Sequence, residues 1–197
     1  MTNKGLTFPA EPLNGAEVRQ LLAAVDTSTL IGVRNHALLV TLWRSGLRCA
    51  EALALRPSDI DFDAGTIRVL RGKGRRARTV GLDETALAVL SVWLEHRPHG
   101  PGPLFCVLTG VSAGGPMHPR YVRALMRRLG ARAGIQHRVH AHGLRHTMAV
   151  ELSREGWPVP LISRQLGHSN VGTTDTYLSG LYPREVIDRA RGRSWAS

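Results

Sequence analysis

The strongest constraint on this fold is a single break in a helical pattern. Segments with helical periodicity run through most of the chain, and one pair of short β-prone stretches, residues 66–70 and 77–80, interrupts them. Gly72, Lys73 and Gly74 lie between the two and read as a turn. Strands joined by so short a connection pair antiparallel, because a parallel crossover needs about a dozen residues or more. The expected fold class is therefore α+β: a mostly helical domain with a small antiparallel β-sheet.

The helices carry their own start and stop signals. Asn14 and Glu17 have capping-box spacing and open a helix expected to reach Asp26. Residues 34–44 are apolar at Ala37, Leu38, Val40 and Leu42 and read as a buried helix punctuated by Gly46. Residues 48–55 begin another turn or two. Asp83 caps an amphipathic helix over 83–96, and a second amphipathic helix covers 119–133. Between them, residues 98–116 are rich in Gly and Pro and read as a loop containing a short apolar run at 104–108. Further helices are expected over 142–155, 160–166, 173–178 and 183–192, with Gly156 and Gly167 as stops for the first two. Residues 1–13 read as an extended tail, 14–181 as one domain and 182–197 as a second tail.

Charge narrows the class of partner. The formal net charge is +11 over 197 residues, and the arginines are clustered, which points to a polyanionic partner, most simply nucleic acid. The helix over 119–133 has an apolar stripe of Val122, Leu125, Met126 and Leu129. Arg120, Arg123, Arg127, Arg128 and Arg132 fill much of the rest, with no acid among them. That face is expected to lie on phosphates or in a major groove. The tip carrying Lys73, Arg75, Arg76 and Arg78 is a second candidate DNA contact, a solvated hairpin being its ordinary alternative. Of the 26 basic residues only Lys4 and Lys73 are lysine, the other 24 being arginine. Lysine can release a proton at working pH and arginine cannot, so Lys73 is a candidate general acid.

Two cysteines, Cys49 and Cys106, suggest no disulfide framework and fit a reducing compartment. No apolar stretch approaches the ~18 residues of a membrane span. Residues 1–5 lead into no apolar signal segment, so a cytoplasmic location is expected.

The chemistry is concentrated toward the C-terminus. His142-Gly-Leu-Arg145-His146 is followed by Leu166-Gly167-His168 and then Tyr177. A phenol has an ordinary pKa of about 10, so attack on a phosphodiester needs a base or cation to draw out its proton. The phosphate gains charge on becoming five-coordinate, and arginine forks suit its oxygens. His142 and His146, at i and i+4 with His140 nearby, have spacing that zinc also accepts. No H-E-x-x-H sequence accompanies them and neither cysteine is near, so the phosphate reading is preferred and no metal or other cofactor is expected.

These blocks, with Arg48 in Ser45-Gly46-Leu47-Arg48 and Lys73 in Gly72-Lys73-Gly74, resemble the catalytic domain of the tyrosine recombinase (phage integrase) family. The likeness extends over about residues 13–181 and has the family's five elements in order. It implies that Tyr177 attacks DNA to leave a 3′-phosphotyrosyl bond, with Arg48, Arg145 and His168 on the phosphate oxygens. It implies that His142 assists proton handling and that Lys73 protonates the 5′-oxygen. Tyr121 and Tyr182 are rival nucleophiles, but only Tyr177 has the family spacing of nine residues after His168. Glu51, three residues after Arg48, is a candidate to orient that guanidinium, an ordinary surface ion pair being the alternative.

The resemblance also implies a site-specific recombinase that forms a tetramer on double-stranded DNA and is monomeric when free. The segment over 183–197 resembles the tail by which family members dock on a neighbour. Two other readings share part of this pattern. A type IB topoisomerase uses the same residue types, and a helix-turn-helix regulator would bind DNA without chemistry. Family members usually carry a further N-terminal helical domain that clamps DNA from the opposite side, and this sequence begins without it. A naturally short recombinase, a catalytic portion of a longer chain and a relic are the three expectations that follow.

Overall fold

Asn14 and Glu17 close the capping box that their spacing requires. Glu17 N donates to Asn14 Oδ1 at 3.0 Å, and Asn14 N donates to Glu17 Oε2 at 2.8 Å. The computed structural model describes residues 12–70, 77–167 and 191. From the box, α1 runs over Gly15–Ala23 and stops short of Asp26. Asp26 starts the next turn instead, its carboxylate accepting from the backbone N and the hydroxyl of Ser28.

α2, Leu30–Ser45, begins a turn before Arg34 because Thr29 Oγ1 accepts from Gly32 N at 3.1 Å. It is the centre of the molecule. Ala37, Leu38, Leu39 and Leu42 are fully buried, and α4 and α6 pack against it. Each such leucine contributes roughly 1.5–3 kcal/mol of burial energy. A helix enclosed on all sides has no polar stripe, and the polar side chains it does bury are paired. Arg34 donates to Cys106 O at 2.9 Å and to Tyr121 Oη at 2.7 Å.

After α2 come α3 (Cys49–Ala54), a 3-10 turn (Pro57–Asp59) and three strands. β1 is Ile60–Asp61, β2 Thr66–Val69 and β3 Arg78–Gly81. They form an antiparallel sheet in the order β1-β2-β3, with Ile67 opposite Val80 and both buried. β1 was not expected, since two residues are too few to show a period.

α4 (Glu84–His96) starts at Asp83, whose side chain accepts from Ala86 N at 3.1 Å. Its Trp93 is fully buried and donates through Nε1 to Leu104 O at 2.9 Å. That bond and a bridge between Cys106 and Pro116 hold the apolar run at 104–108 in the core without making it a strand. α5 (Pro119–Arg132), α6 (Ala141–Arg154) and α7 (Val159–Leu166) complete the described elements. The helices expected over 173–178 and 183–192 lie outside them.

α7 is fixed by an apolar patch and an amide. Ile162 and Leu166 pack on Met148, Ala149 and Leu152 of α6. The Gln165 side chain donates to Gly81 O at 2.9 Å and accepts from Gly81 N at 3.0 Å, tying α7 to β3. Among the described residues no helix is long and apolar enough to cross a membrane.

Candidate active site

Gly46 ends α2 with φ of +64°, a left-handed conformation that favours glycine. A Cβ there would also lie 2.6 Å from Leu166 Cδ2 and 2.8 Å from Met148 Sδ. The turn therefore brings the chain hard against α6 and α7. From α6, the buried Arg145 donates through Nη1 to Gly46 O. Two residues after Gly46 comes Arg48, the N-cap of α3. One glycine turn thus joins the loop bearing Arg48 to the helix bearing Arg145.

Arg48 is held by Glu51. The backbone N of Arg48 donates to Glu51 Oε2 at 2.9 Å, and its Nη1 donates to Oε1 at 3.1 Å. Glu51 is only 5% exposed, so this is a buried pair rather than a surface one. A third residue completes it: Arg78, the first of β3, donates from Nη1 to Oε1 and from Nη2 to Oε2, both at 2.8 Å. Burial alone raises the pKa of this carboxyl. The hydrogen bonds from Arg78 and from Arg48 N, with the charges of both arginines, outweigh burial and bring it down to about 2. Arg48 itself keeps 39% of its side chain exposed.

At the start of α6, His140 is the N-cap, its Nδ1 accepting from Gly143 N at 3.0 Å. Its ring stacks on that of His142 with centroids 6.4 Å apart. The outer edge of His142 is exposed, yet packing about the ring disfavours its charged form. The positive charges of Arg145, His140, His146 and Arg48 add to that, so its pKa lies below the ordinary imidazole value. At neutral pH, His142 is a neutral imidazole beside two guanidiniums.

The sequence model of the phage integrase family matches residues 11–182. The chain belongs to this family. It is 36% identical over 172 residues to tyrosine recombinase XerC of Xylella fastidiosa (strain 9a5c), covering 86% of this chain and 57% of that protein. The chain thus spans little more than half the length of that relative. The crystal structure of XerA recombinase superposes with a TM-score of 0.79 at 31% identity, covering 95% of this chain and 68% of that one. XerH site-specific recombinase, bound to palindromic difH substrate in a post-cleavage complex, also gives 0.79, at 26% identity, with 96% and 55% covered.

Within this integrase-family fold, Arg48, His142 and Arg145 come together. Lys73, His168 and Tyr177, with Arg75 and Arg76, lie outside the described residues. The rival Tyr121 is engaged elsewhere: its hydroxyl accepts from Arg34 Nη2 and from Asn35 Nδ2 at 3.1 Å. Arg120, Arg123 and Arg127 are exposed on α5, and among the described residues none of them pairs with a carboxylate. A groove of about 490 Å³, lined in part by Arg120, Arg123, Arg127, Arg138 and His140, runs from this face toward the start of α6. Arg78, expected as a DNA contact, is turned inward: 16% of its side chain is exposed and both Nη atoms are on Glu51. Its partner is 27 positions away, so no local spacing announced it. Nor did any local signal mark His140 as a cap, since histidine is not among the usual capping residues. Among the described residues no group of three His, Cys, Asp or Glu side chains is placed to hold a metal ion.

Proposed function

We propose that this chain is a site-specific DNA recombinase that cleaves and rejoins strands through a 3′-phosphotyrosyl intermediate. The observation that carries this reading is the junction of Arg48 and Arg145 at the Gly46 turn, in a member of the phage integrase family. Two guanidiniums on neighbouring segments fit two non-bridging oxygens of one phosphate. Arg48 and Arg145 hold those oxygens, joined by His168, and stabilise the charge that grows on them. Tyr177 is the nucleophile, and neutral His142 is suited to accept its proton. Lys73 protonates the departing 5′-oxygen. Each ester bond broken is replaced by another, so the reaction needs neither ATP nor a metal.

The same reading makes residues 14–181 the catalytic domain and gives duplex DNA the basic face of Arg120, Arg123 and Arg127. The tip with Arg75 and Arg76 lies on the same duplex. The protein acts in the cytoplasm as a tetramer on paired sites, is monomeric when free, and docks its tail, 182–197, on a neighbouring protomer. Similarity to XerC, XerA and XerH supports a recombinase over a topoisomerase or a regulator.

The test is covalent capture. Nicked fragments of the source genome are incubated with wild-type protein and with Tyr177→Phe, then denatured. A DNA adduct that maps to Tyr177 and is absent from the variant is the expected result. Tight, salt-sensitive binding with no adduct on any fragment would leave a DNA-binding protein without this chemistry.

A further inference from the structure

Arg78 stands at the foot of the hairpin, outside the motif blocks, and its contacts converge on two of them: the one that carries Arg48 and the one that runs Leu166-Gly167-His168. Its guanidinium grips Glu51 with two bonds of 2.8 Å. Its Nη2 also lies 3.5 Å from Leu166 O. The backbone of Gly167 rests directly on it: a Cβ at Gly167 would fall 2.3 Å from Arg78 Nε and 2.6 Å from its Cζ. Gly167 O is in turn 3.5 Å from Arg48 Nη2. One partly buried guanidinium therefore touches the acid that orients Arg48 and the backbone immediately before His168.

Glu51 is what makes this arrangement consequential. A carboxylate has about four lone-pair sites. All are used: Arg48 N, Arg48 Nη1 and the two Nη atoms of Arg78. The acid is thereby limited to one bond with the Arg48 side chain, at Nη1, and Nη2 is left to reach toward Gly167 O, beside His168 in the sequence. The three charges also sum to +1. Without Arg78, Glu51 would face Arg48 alone. It would neutralise that arginine and have two sites free to take its second nitrogen.

We infer that Arg78 is a positioning residue, which by saturating Glu51 keeps the Arg48 guanidinium oriented and its charge available to the scissile phosphate. This deepens the recombinase reading and rests on Arg48 being a phosphate clamp. It differs from a DNA-contact role because it acts wholly through Glu51.

The distinguishing consequence is suppression. If the harm in losing Arg78 comes from the charge on Glu51, removing that charge should restore function. The probe is the nicked duplex that wild-type protein captures covalently from fragments of its own genome, and the readout is the single-turnover rate of adduct formation at saturating protein. Arg78→Met is expected to cleave about tenfold to hundredfold more slowly, less than the loss of a direct oxyanion donor. The double variant Arg78→Met, Glu51→Gln should recover at least about tenfold of that loss, because no carboxylate remains to neutralise Arg48. Arg78→Lys, which keeps the charge but not the fork, should fall between wild type and Arg78→Met.

A wild-type rate in Arg78→Met overturns the inference. So does a slow Arg78→Met that the second substitution fails to improve, since that is the pattern of a lost DNA contact. Thermal melts of each variant precede the kinetics. If Arg78→Met does not fold, Arg78→Lys with a wild-type melt decides: a slowed rate supports the role and an unchanged rate removes it. Should wild-type protein itself form no adduct, the recombinase reading fails and this inference goes with it.

Discussion

Arg145, on α6, donates to the carbonyl of Gly46, on the turn that ends α2 and precedes Arg48. The bond is buried, and it crosses 99 positions of sequence. It makes the separation of two guanidiniums a property of one turn rather than of two independent side chains. Such a turn should be intolerant of change out of proportion to its size.

Gly46→Ala tests this. The added methyl meets a positive φ, costing about 1–2 kcal/mol, and the side chains of Leu166 and Met148 must move to admit it. Urea denaturation should show a loss of about 1–3 kcal/mol. Adduct formation should fall further than stability does, by about tenfold or more, because Arg48 shifts relative to Arg145. A variant that is destabilised but cleaves at the wild-type rate would mean the turn serves the fold alone.

Glu51 sets an acid limit on stability. Its folded pKa of about 2 lies below the ordinary glutamate value of 4.5. Its contribution is therefore full above pH 4.5 and is lost as pH falls from there toward 2. The stability at stake is on the order of 3 kcal/mol. Urea melts of wild-type protein should weaken across that window, and those of Glu51→Gln should be flatter there while starting lower at pH 7. Parallel curves for the two proteins would show that this carboxylate is not the group responsible.

His142 gives a second pH signature, of opposite use. Its pKa is held below the ordinary 6.5, first by packing about the ring and then by neighbouring positive charge. In its proposed role of proton acceptor it must be neutral, so adduct formation should rise with pH and reach half its plateau below pH 6.5. In stability, protonation of the folded state is the disfavoured event, so folding weakens as pH drops below 6.5. A half-plateau above that value, or a profile unchanged in His142→Asn, would exclude this histidine as the acceptor.

The α5 arginines predict a salt effect without a sequence effect. Replacing Arg120, Arg123 or Arg127 with Gln should weaken binding to unrelated duplexes about equally. Each replacement should reduce the slope of log affinity against log salt by about one. Fluorescence anisotropy across a salt series measures it. An unchanged slope in all three variants would place the phosphate backbone elsewhere on the molecule.

What was legible in the sequence was local. The Asn14–Glu17 box, the Asp83 cap and the stops at Gly46 and Gly167 each depend on residues a few positions apart, and each is present. The antiparallel sheet followed from one short turn, although β1 was too brief to show. The end of α1 was misplaced because Asp26 could extend one helix or start the next turn, and only tertiary packing decides. At the site, Glu51 was visible as a neighbour of Arg48, since a helix puts residues three apart side by side. That it is buried, and shared with Arg78, was not visible. Ion pairs across β3 and α3 arise from how the elements stack, and spacing carries no record of that. Tyr121 likewise carries no local sign of Arg34, 87 positions away, whose guanidinium donates to its hydroxyl.

The clasp of Gln165 on Gly81 has a consequence for how copies of this chain can meet. Among the described residues β3 is an outer strand of the sheet, and an outer strand offers its free N–H and C=O groups to any other strand that approaches. At Gly81 both groups are already taken by a side-chain amide that imitates a backbone peptide. The sheet is closed there by its own helix, without a charge or a proline to repel a newcomer. Any second strand that approaches this edge, from another copy of the chain or elsewhere, thus finds no free peptide group to pair with at this position.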